Sequence, residues 1–315
     1  PLELPGIKFD HKRIVSSDDL LSLNRIPKSM IIVGGGAVGC EFASLFSFLG
    51  TSVEIVELMD SLLPREDKEI SKALEMSFKK RGIVIKTKTG LESVNSSPDG
   101  IEAIFSDKTK NSSELVLICV GRKPNTDNLN LESLGITLEK GWVKTDLYLR
   151  TNVNNIYAIG DVTGKTLLAH VASRQAEAAI ENIIGKKKIM DYLVIPNCVF
   201  SYPQIASVGL SEEEARERKI NYIIGKFSFR ALGKAHTVAE TEGFVKLIFD
   251  KDTHIILGAH IIGAEATELI SVLTLAIKNK LKAEDIKETV FPHPTFSEAI
   301  HEAVFAFFKK PLHAV

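Results

Sequence analysis

The sequence is poor in cysteine, and this scarcity excludes several kinds of site. Only three cysteines occur in 315 residues, Cys40, Cys119 and Cys198. No two of them form a CxxC or CxxxxC pair, so neighbouring cysteines cannot build a zinc knuckle or a local redox disulfide. We therefore expect no metal site. Few cysteines, and no signal-peptide pattern in the first residues, favour a cytoplasmic protein.

The sequence also lacks an excess of either charge and any long hydrophobic run. The formal net charge is −1, and acidic and basic residues are mixed along the chain. This distribution argues against a nucleic-acid-binding protein. The longest apolar runs fall well short of the roughly 18 residues that a membrane helix needs. We expect neither nucleic acid nor a membrane as a partner.

What the sequence does contain is an alternation of strands and helices in its first half. Strands are predicted at 29–36, 52–58, 83–89 and 114–121, with helices ending at Gly50 and Gly82 and short β runs around an SSPDG turn at 96–100. Alternating strands and helices favour a parallel sheet with crossover connections. The sequence thus predicts an α/β domain over about residues 27–149.

The second half shows a different pattern. Residues 152–164 are predicted as a strand that enters a glycine turn, and residues 170–185 as a helix. Beyond about residue 191, strands such as 243–250 and 254–263 precede helices at 265–279 and 297–309. Strands and helices that are segregated in this way indicate an α+β module.

A glycine motif follows the first strand of the α/β region. Gly34, Gly36 and Gly39 match GxGxxG between a predicted strand and helix, and Glu57 ends the next strand, 23 positions after Gly34. In this context the glycines permit a tight turn, close approach of a pyrophosphate, and close helix–strand packing. Glu57 can accept hydrogen bonds from both ribose hydroxyls and would repel a 2′-phosphate, which favours NAD over NADP.

The second feature that could take part in a reaction is a histidine between two prolines. In FPHPTFSEAI, residues 291–300, the prolines restrict the backbone around His293. Thr295 and Glu298 have the spacing of a capping box for the following helix. Glu298 also lies five residues after His293, which makes a His–Glu pair the alternative interpretation. From this stretch alone, both interpretations of Glu298 stay open.

Five segments in this order resemble the pyridine-nucleotide–disulfide oxidoreductases, and within them the dihydrolipoamide dehydrogenases. They are GGGAVGCE (34–41), VGRKPNT (120–126), NIYAIGD (155–161), LLAH (167–170) and HPTFSE (293–298). The resemblance implies a Rossmann-like NAD domain, part of an FAD domain and a C-terminal α+β dimerisation domain. The implied boundaries are 1–26 for an FAD-domain remnant or linker, 27–149 for NAD binding, 150–190 for part of the FAD domain, and 191–315 for dimerisation.

The resemblance also implies roles for individual residues. His293 would be the acid/base group of dihydrolipoamide oxidation, oriented by Glu298, and it would enter the active site of the partner subunit in a homodimer. The lipoyl groups of 2-oxo acid dehydrogenase complexes would be the substrates. The residues implied to contact NAD are Gly34, Gly35, Gly36, Ala37, Val38, Gly39, Cys40, Glu41, Glu57, Leu91 and Gly121, and those implied to contact FAD are Asp161, Leu167, Leu168, Ala169 and His170.

The sequence departs from the family pattern in two ways. Phe291 stands where family members often carry a second histidine, which puts only that upstream imidazole in doubt. The FAD-binding first GxGxxG and the redox-active CxxxxC are both missing. We therefore expect a fragment without the N-terminal FAD half, and without lipoamide turnover of its own.

Two alternative functions stay open at this point. A glutathione-reductase-like enzyme would use NADP and typically has arginines after the second strand, where this chain has Glu57, Leu58 and Met59. A non-catalytic NAD-binding or dimerisation module is compatible with the residues present. For the dimer surface, within the residues from about 191 onward, the sequence suggests the Phe-rich helix after Glu298 and the apolar side chains of helix 265–279, namely Leu269, Val272, Leu273 and Ile277.

Overall fold

The computed structural model describes residues 1–97 and 100–313, without the side chain of residue 97. Two residues of the predicted SSPDG turn, Pro98 and Asp99, lie outside the described residues. The chain divides into two compact units. The larger comprises Pro1–Val120 and Pro196–Val315, and the smaller Gly121–Ile195. The four domain boundaries drawn from the sequence stay predictions.

The first part of the larger unit is built on a parallel sheet, as predicted. Its sheet order is β1-β8-β2-β3-β4, and β2 pairs in parallel with both β3 and β8. Strands β5, β6 and β7 form a separate antiparallel sheet. The strands are β1 (Ile14–Val15), β2 (Ser29–Val33), β3 (Ser52–Val56), β4 (Val84–Lys86), β5 (Leu91–Ser97), β6 (Gly100–Phe105), β7 (Lys110–Ser113) and β8 (Leu115–Ile118).

The helices of this part are α1 (Ser17–Leu20), α2 (Ala37–Phe48) and α3 (Lys68–Lys80). Helix α3 shows why such sequences fold locally. The side chain of Asp67 caps its first turn by accepting from the N–H of Glu69 at 3.0 Å. Ile70, Leu74 and Phe78 recur at four-residue steps and are fully buried. Burial of this apolar face, rather than helix propensity alone, stabilises α3 against the sheet.

The smaller unit contains β9 (Leu138–Glu139), β10 (Trp142–Val143), a 3₁₀ turn (Gly160–Thr163) and α4 (Ala169–Ile183). Of the strand and glycine turn predicted over 152–164, the strand was wrong, whereas the turn is present at Gly160–Thr163, with Gly164 in the left-handed conformation. The residues before it form turns, with a bridge between Arg150 and Tyr157. Tyr157 packs against Leu149 and the inner face of α4, so its side chain is covered without a regular strand.

The second part of the larger unit is an antiparallel sheet with helices, in agreement with the α+β prediction. Its order is β11-β12-β15-β14-β13. The elements are β11 (Asn197–Val199), β12 (Ile205–Gly209), α5 (Glu212–Glu217), β13 (Tyr222–Ser228), a 3₁₀ turn (Phe229–Ala231), α6 (Gly233–Thr237), β14 (Gly243–Asp250), β15 (Ile256–Gly263), α7 (Ala266–Lys278), α8 (Ala283–Glu288) and α9 (Glu298–Phe307).

A charged cluster links α3 to this antiparallel sheet. The side chain of Lys246 on β14 is completely buried, and its Nζ donates to Asp67 Oδ2 at 2.9 Å and Glu212 Oε2 at 2.7 Å. Glu69 lies 3.0 Å away. Burial lowers the pKa of Lys246, but the hydrogen bonds with Glu212, Asp67 and Glu69 outweigh it, so the pKa is raised. Neither the composition nor the spacing of these segments indicated this cluster.

The apolar face of α7 is mostly covered within the chain. Leu269, Leu273 and Ile277 are buried, whereas Val272 is exposed. The suggestion that all four residues supply dimer surface is therefore wrong for three of them, because a hydrophobic helix face does not specify which neighbour covers it. Among the described residues, no helix has both the length and the apolarity needed to cross a membrane.

Candidate functional site

The glycine turn, residues 34–39, connects β2 to α2 as the motif predicts. Gly34 has φ +113°, and a Cβ there would lie 2.7 Å from the carbonyl oxygen of Cys119. A Cβ on Gly39 would lie 1.9 Å from the carbonyl oxygen of Gly34. Neither position can accommodate a side chain without moving backbone. Glycine at these positions lets α2 begin directly against the end of the sheet.

Gly36 differs from Gly34, Gly35 and Gly39 because its Cα has an open side. A Cβ built on Gly36 would meet no atom of the described residues within 4 Å. Gly36 is the N-cap of α2, whose first residues Ala37 and Val38 are half-buried. The first N–H groups of a helix attract anions. The open approach beside a helix N-terminus therefore fits the pyrophosphate of a dinucleotide.

Glu57 lies beside the glycine turn, with only 8% of its surface exposed. Its Oε2 accepts from the N–H of Gly35 at 2.5 Å, and its Oε1 accepts from the N–H of Met59 at 2.7 Å. The sequence suggested only ribose hydroxyls as donors to Glu57. Because each carboxylate oxygen can accept more than one hydrogen bond, capacity for a ribose remains. The carboxylate thus also fixes the turn to the end of β3.

The other residues implied for NAD binding have varied surroundings. Cys40 is fully buried, and burial raises the pKa of its thiol well above the ordinary value. Glu41 accepts from the N–H of Phe200 at 2.9 Å, so its carboxylate has a backbone partner at the end of β11. Leu91 is half-buried at the start of β5. Gly121 is exposed, with φ +132°.

The residues implied for FAD contact lie in the smaller unit, around the 3₁₀ turn and the start of α4. Asp161, Leu167, Ala169 and His170 are exposed, and Leu168 is half-buried as the N-cap of α4. Such exposure leaves their surfaces accessible to a ligand.

Gln175 holds this turn in place, a role that the sequence did not suggest. It is completely buried on α4, and its Oε1 accepts from the N–H of Gly160 at 2.6 Å. Its Nε2 donates to the hydroxyl of Tyr192 at 2.8 Å. A glutamine at a position of the apolar helix periodicity is the signal that could have identified it, since a buried amide needs hydrogen-bond partners.

His293 and Glu298 form a hydrogen-bonded pair. His293 Nδ1 lies 2.9 Å from Glu298 Oε1, and the side chains are 77% and 22% exposed, respectively. A carboxylate only accepts hydrogen bonds, so Nδ1 carries the proton of this bond. In the neutral ring, Nε2 is then an unprotonated acceptor. The pair therefore presents a base toward solvent.

Glu298 also has the second role considered from the sequence. Its Oε2 accepts from the N–H of Thr295 at 2.9 Å. Burial raises the pKa of Glu298, but the hydrogen bonds from Thr295 and His293 outweigh this effect and hold the pKa below its ordinary value. The carboxylate therefore stays ionised and available to His293.

The predicted capping role of Thr295 was wrong. Helix α9 begins at Glu298 with Ser297 as its N-cap. The hydroxyl of Thr295 donates to the carbonyl oxygen of Pro292 at 2.7 Å instead. Only one of the two hydrogen bonds of a capping box is present, the bond from the N–H of Thr295 to Glu298. The other is missing because residues 295–297 form a turn before the helix starts.

Comparisons with known proteins confirm the family resemblance. Residues 1–176 match the pyridine nucleotide-disulphide oxidoreductase family, and residues 195–304 match its dimerisation domain. The dihydrolipoyl dehydrogenase of Chlamydia pneumoniae is 41% identical over 314 residues, which cover 99% of this chain and 68% of that protein. The dihydrolipoyl dehydrogenase of Bacillus subtilis is 42% identical over 320 residues, which cover 100% of this chain and 68% of that protein.

Solved structures agree with this assignment. LpdA from Mycobacterium tuberculosis matches with a TM-score of 0.91 at 30% identity, covering 96% of this chain and 67% of that chain. The HOCl-induced flavoprotein disulfide reductase RclA from Escherichia coli matches with a TM-score of 0.89 at 27% identity, covering 96% and 71%.

Proposed function

Because the chain belongs to the pyridine nucleotide-disulphide oxidoreductase family, we propose that it carries the NAD-binding and dimerisation parts of a dihydrolipoyl dehydrogenase. The observation that carries this proposal is the His293–Glu298 pair, with Nδ1 bound to the carboxylate and Nε2 left as a base. The relatives at about 40% identity, named dihydrolipoyl dehydrogenases, support it. The alternative with NADP is less favoured, because Glu57 lies beside the glycine turn.

NAD would be held by the glycine turn and Glu57. The open side of Gly36 admits the pyrophosphate next to the first N–H groups of α2. Glu57 would accept from the ribose hydroxyls with the hydrogen-bonding capacity that Gly35 and Met59 leave. Its negative charge would repel a 2′-phosphate and so select NAD. When bound, NAD accepts the hydride that the oxidation releases.

FAD would be held in part by the smaller unit of this chain. Asp161 would bind the ribityl or phosphate portion, and residues 167–170 would lie along the flavin. Gln175 would keep the Gly160 turn in position for this contact. When bound, FAD would supply the redox group between the disulfide of the full-length enzyme and NAD. Asp161 and His170 are exposed, which is compatible with this arrangement.

His293 would take the proton of the dithiol through Nε2. The ionised carboxylate of Glu298 keeps the proton of the neutral ring on Nδ1 and stabilises the imidazolium that forms. The 315 residues contain no CxxxxC pair. We therefore propose that this chain by itself does not turn over lipoamide and that the activity belongs to the full-length enzyme.

The dimerisation domain at residues 195–304 supports a homodimer, and it contains His293. We propose that His293 acts in the active site of the partner subunit. The lipoyl groups of 2-oxo acid dehydrogenase complexes would be the substrates. Holding the imidazole between two prolines on an exposed loop suits a group that serves a neighbouring subunit.

The test replaces His293 with Gln in the full-length enzyme. Flavin content and NADH affinity should be unchanged, and dithiol oxidation should slow by about 10²–10⁴, the usual effect of losing a positioned proton acceptor. His254→Gln is a matched control, because His254 also binds a glutamate through Nδ1, Glu284 at 2.5 Å, outside the candidate site. Normal dihydrolipoamide oxidation by His293→Gln would disprove the assigned role.

A further inference from the structure

The loop that carries His293, residues 289–297, is held on its C-terminal side by an aromatic contact. Phe296 is buried, and its ring centroid lies 5.4 Å from that of Phe229, which is completely buried. A ring packed in this way fixes the chain that leads into α9. Glu298, the partner of His293, is the first residue of that helix. The position of the carboxylate is therefore well determined.

A second aromatic contact lies on the N-terminal side of the same loop. Phe291 stacks on His301, with ring centroids 5.0 Å apart and an interplanar angle of 22°. His301 is on α9, three residues after Glu298, a spacing that places two residues on neighbouring parts of one helix face. Phe291 is two residues before His293. The stack therefore connects the chain segment that carries His293 to α9, the helix that carries Glu298.

His301 is itself fixed by other contacts. Its Nε2 lies 3.0 Å from the carbonyl oxygen of Lys287 in α8, and since a carbonyl only accepts, this nitrogen donates. The ring of Phe305 meets His301 edge-on at a centroid distance of 4.6 Å. A ring held by α8 and α9 offers Phe291 a rigid surface.

We propose that Phe291 and His301 are positioning residues that keep His293 within hydrogen-bond distance of Glu298. This inference rests on the proposed function for its effect on rate, but not for its effect on geometry. His293 is on an exposed loop, and a small displacement of that loop breaks a 2.9 Å contact. Placing catalytic groups within a few tenths of an ångström requires such support.

The first experiment measures geometry in the 315-residue chain with ¹⁵N-labelled histidine. The two-bond ¹H–¹⁵N correlation of the neutral His293 ring reports which nitrogen carries the proton. Phe291→Leu and His301→Gln, which each remove one ring of the stack, should shift the His293 tautomer toward that of the reference variant Glu298→Ala, which has no acceptor for Nδ1. His301→Phe keeps a ring and should retain the wild-type tautomer.

Phe308→Leu is the matched control, since Phe308 contacts His254 and Phe307 rather than the histidine loop. Melting curves identify any variant that does not fold. If Phe291→Leu does not fold, His301→Gln tests the loss of the stack in its place. A wild-type tautomer in the folded variants that lack one ring of the stack would overturn the proposal.

The second experiment measures dithiol oxidation by the same variants in the full-length enzyme. Loss of either ring should lower kcat by about tenfold to a hundredfold, the effect expected of a misplacement near 1 Å, with the KM for NAD unchanged. His301→Phe should recover most of the rate. If the tautomer shifts and the rate does not, the positioning stands and the proposed role of His293 fails instead.

Discussion

The glycine turn and the histidine loop are held in position by different kinds of contact. At the turn, a Cβ on Gly39 would lie 1.9 Å from a backbone oxygen, so the fold allows almost no variation there. At the loop, His293 is 77% exposed, and its position depends on hydrogen bonds and ring contacts. Close backbone packing that leaves no room for a Cβ fixes the turn, whereas contacts between side chains fix the loop.

This difference has consequences for mutation. A change in the turn acts on the backbone and should affect stability and nucleotide binding together. A change in the loop acts on a side-chain contact and should affect rate with little effect on stability. The buried cluster around Lys246 belongs to neither region, because it joins α3 to the antiparallel sheet.

The largest effect is expected for Lys246→Met. Removing the ammonium leaves Asp67 buried without its partner, which typically costs about 3–5 kcal/mol of unfolding free energy. Lys226→Met is the control, since Lys226 also pairs with Glu69 but is partly exposed and should cost at most about 1 kcal/mol. Denaturant titrations measure both, and equal losses would mean that the buried ammonium is not the stabilising element.

The same cluster predicts a pH dependence. Burial raises the pKa of Asp67, but the hydrogen bond and charge of Lys246 outweigh it and hold the pKa below the ordinary value. Asp67 therefore stabilises the fold above its unfolded pKa of about 3.9, and this contribution is lost as the pH falls through the lower folded pKa. Lys246→Met should weaken the loss of stability on acidification, whereas Lys226→Met should preserve it.

Gly39→Ala is expected to have the next largest effect. Its Cβ would clash with backbone that cannot easily move, at a cost of about 3 kcal/mol, the upper part of the usual range for overpacking. Gly36→Ala is the control, because φ −74° and ψ −173° suit alanine and its Cβ meets no atom. It should melt normally yet bind NADH more weakly. Similar melting temperatures for both variants would contradict the proposed geometry.

Glu57→Ala should weaken NADH binding by about 1.5–3 kcal/mol, the value of a hydrogen bond to a charged group. Rejection of NADPH should relax as the negative charge disappears. Glu57→Gln separates the two effects, since the amide oxygen still accepts hydrogen bonds but repels no phosphate. Fluorescence titrations with both nucleotides measure this. Unchanged affinities and selectivity in both variants would exclude Glu57 from the ribose site.

The smallest effect is expected for Thr295→Ala. The variant loses the hydrogen bond from the hydroxyl to Pro292, worth about 0.5 kcal/mol at an exposed site. Its N–H still donates to Glu298, so dithiol oxidation should proceed at the normal rate. Melting temperature and rate are measured on the same sample. A loss near 2 kcal/mol would restore Thr295 as a helix cap.

Local spacing was sufficient to predict the glycine turn, because its steric requirements involve residues that are close in sequence. The pairing of His293 with Glu298 was expected from the family resemblance, because their spacing alone is equally that of a cap. Thr295 was predicted as the N-cap of α9, but the N-cap is Ser297, two residues later. The capping-box pattern does not distinguish a helix start from a turn before it. The strand predicted before the glycine turn of 152–164 failed for a similar reason, since a turn can also pack an aromatic side chain such as that of Tyr157.

Features that depend on distant residues could not be predicted. Asp67 and Lys246 are 179 positions apart, and nothing in either segment indicates the other. The stack of Phe291 on His301 depends on how α8 and α9 pack, which the apolar pattern of each helix leaves open. The burial of Leu269 and Leu273 within the chain needed the sheet as well as the helix.

The separation of Asp67 from Lys246 also has a consequence for biosynthesis. A ribosome that adds 5–20 residues per second reaches Lys246 about 10–40 s after Asp67. In that interval the Asp67 carboxylate has no ammonium partner from β14, and α3 can already dock on the nascent parallel sheet through Ile70, Leu74 and Phe78. The ion pair of Lys246 with Asp67 can form only after β14 emerges. It therefore follows the apolar contacts of α3 and adds stability to an arrangement that already exists.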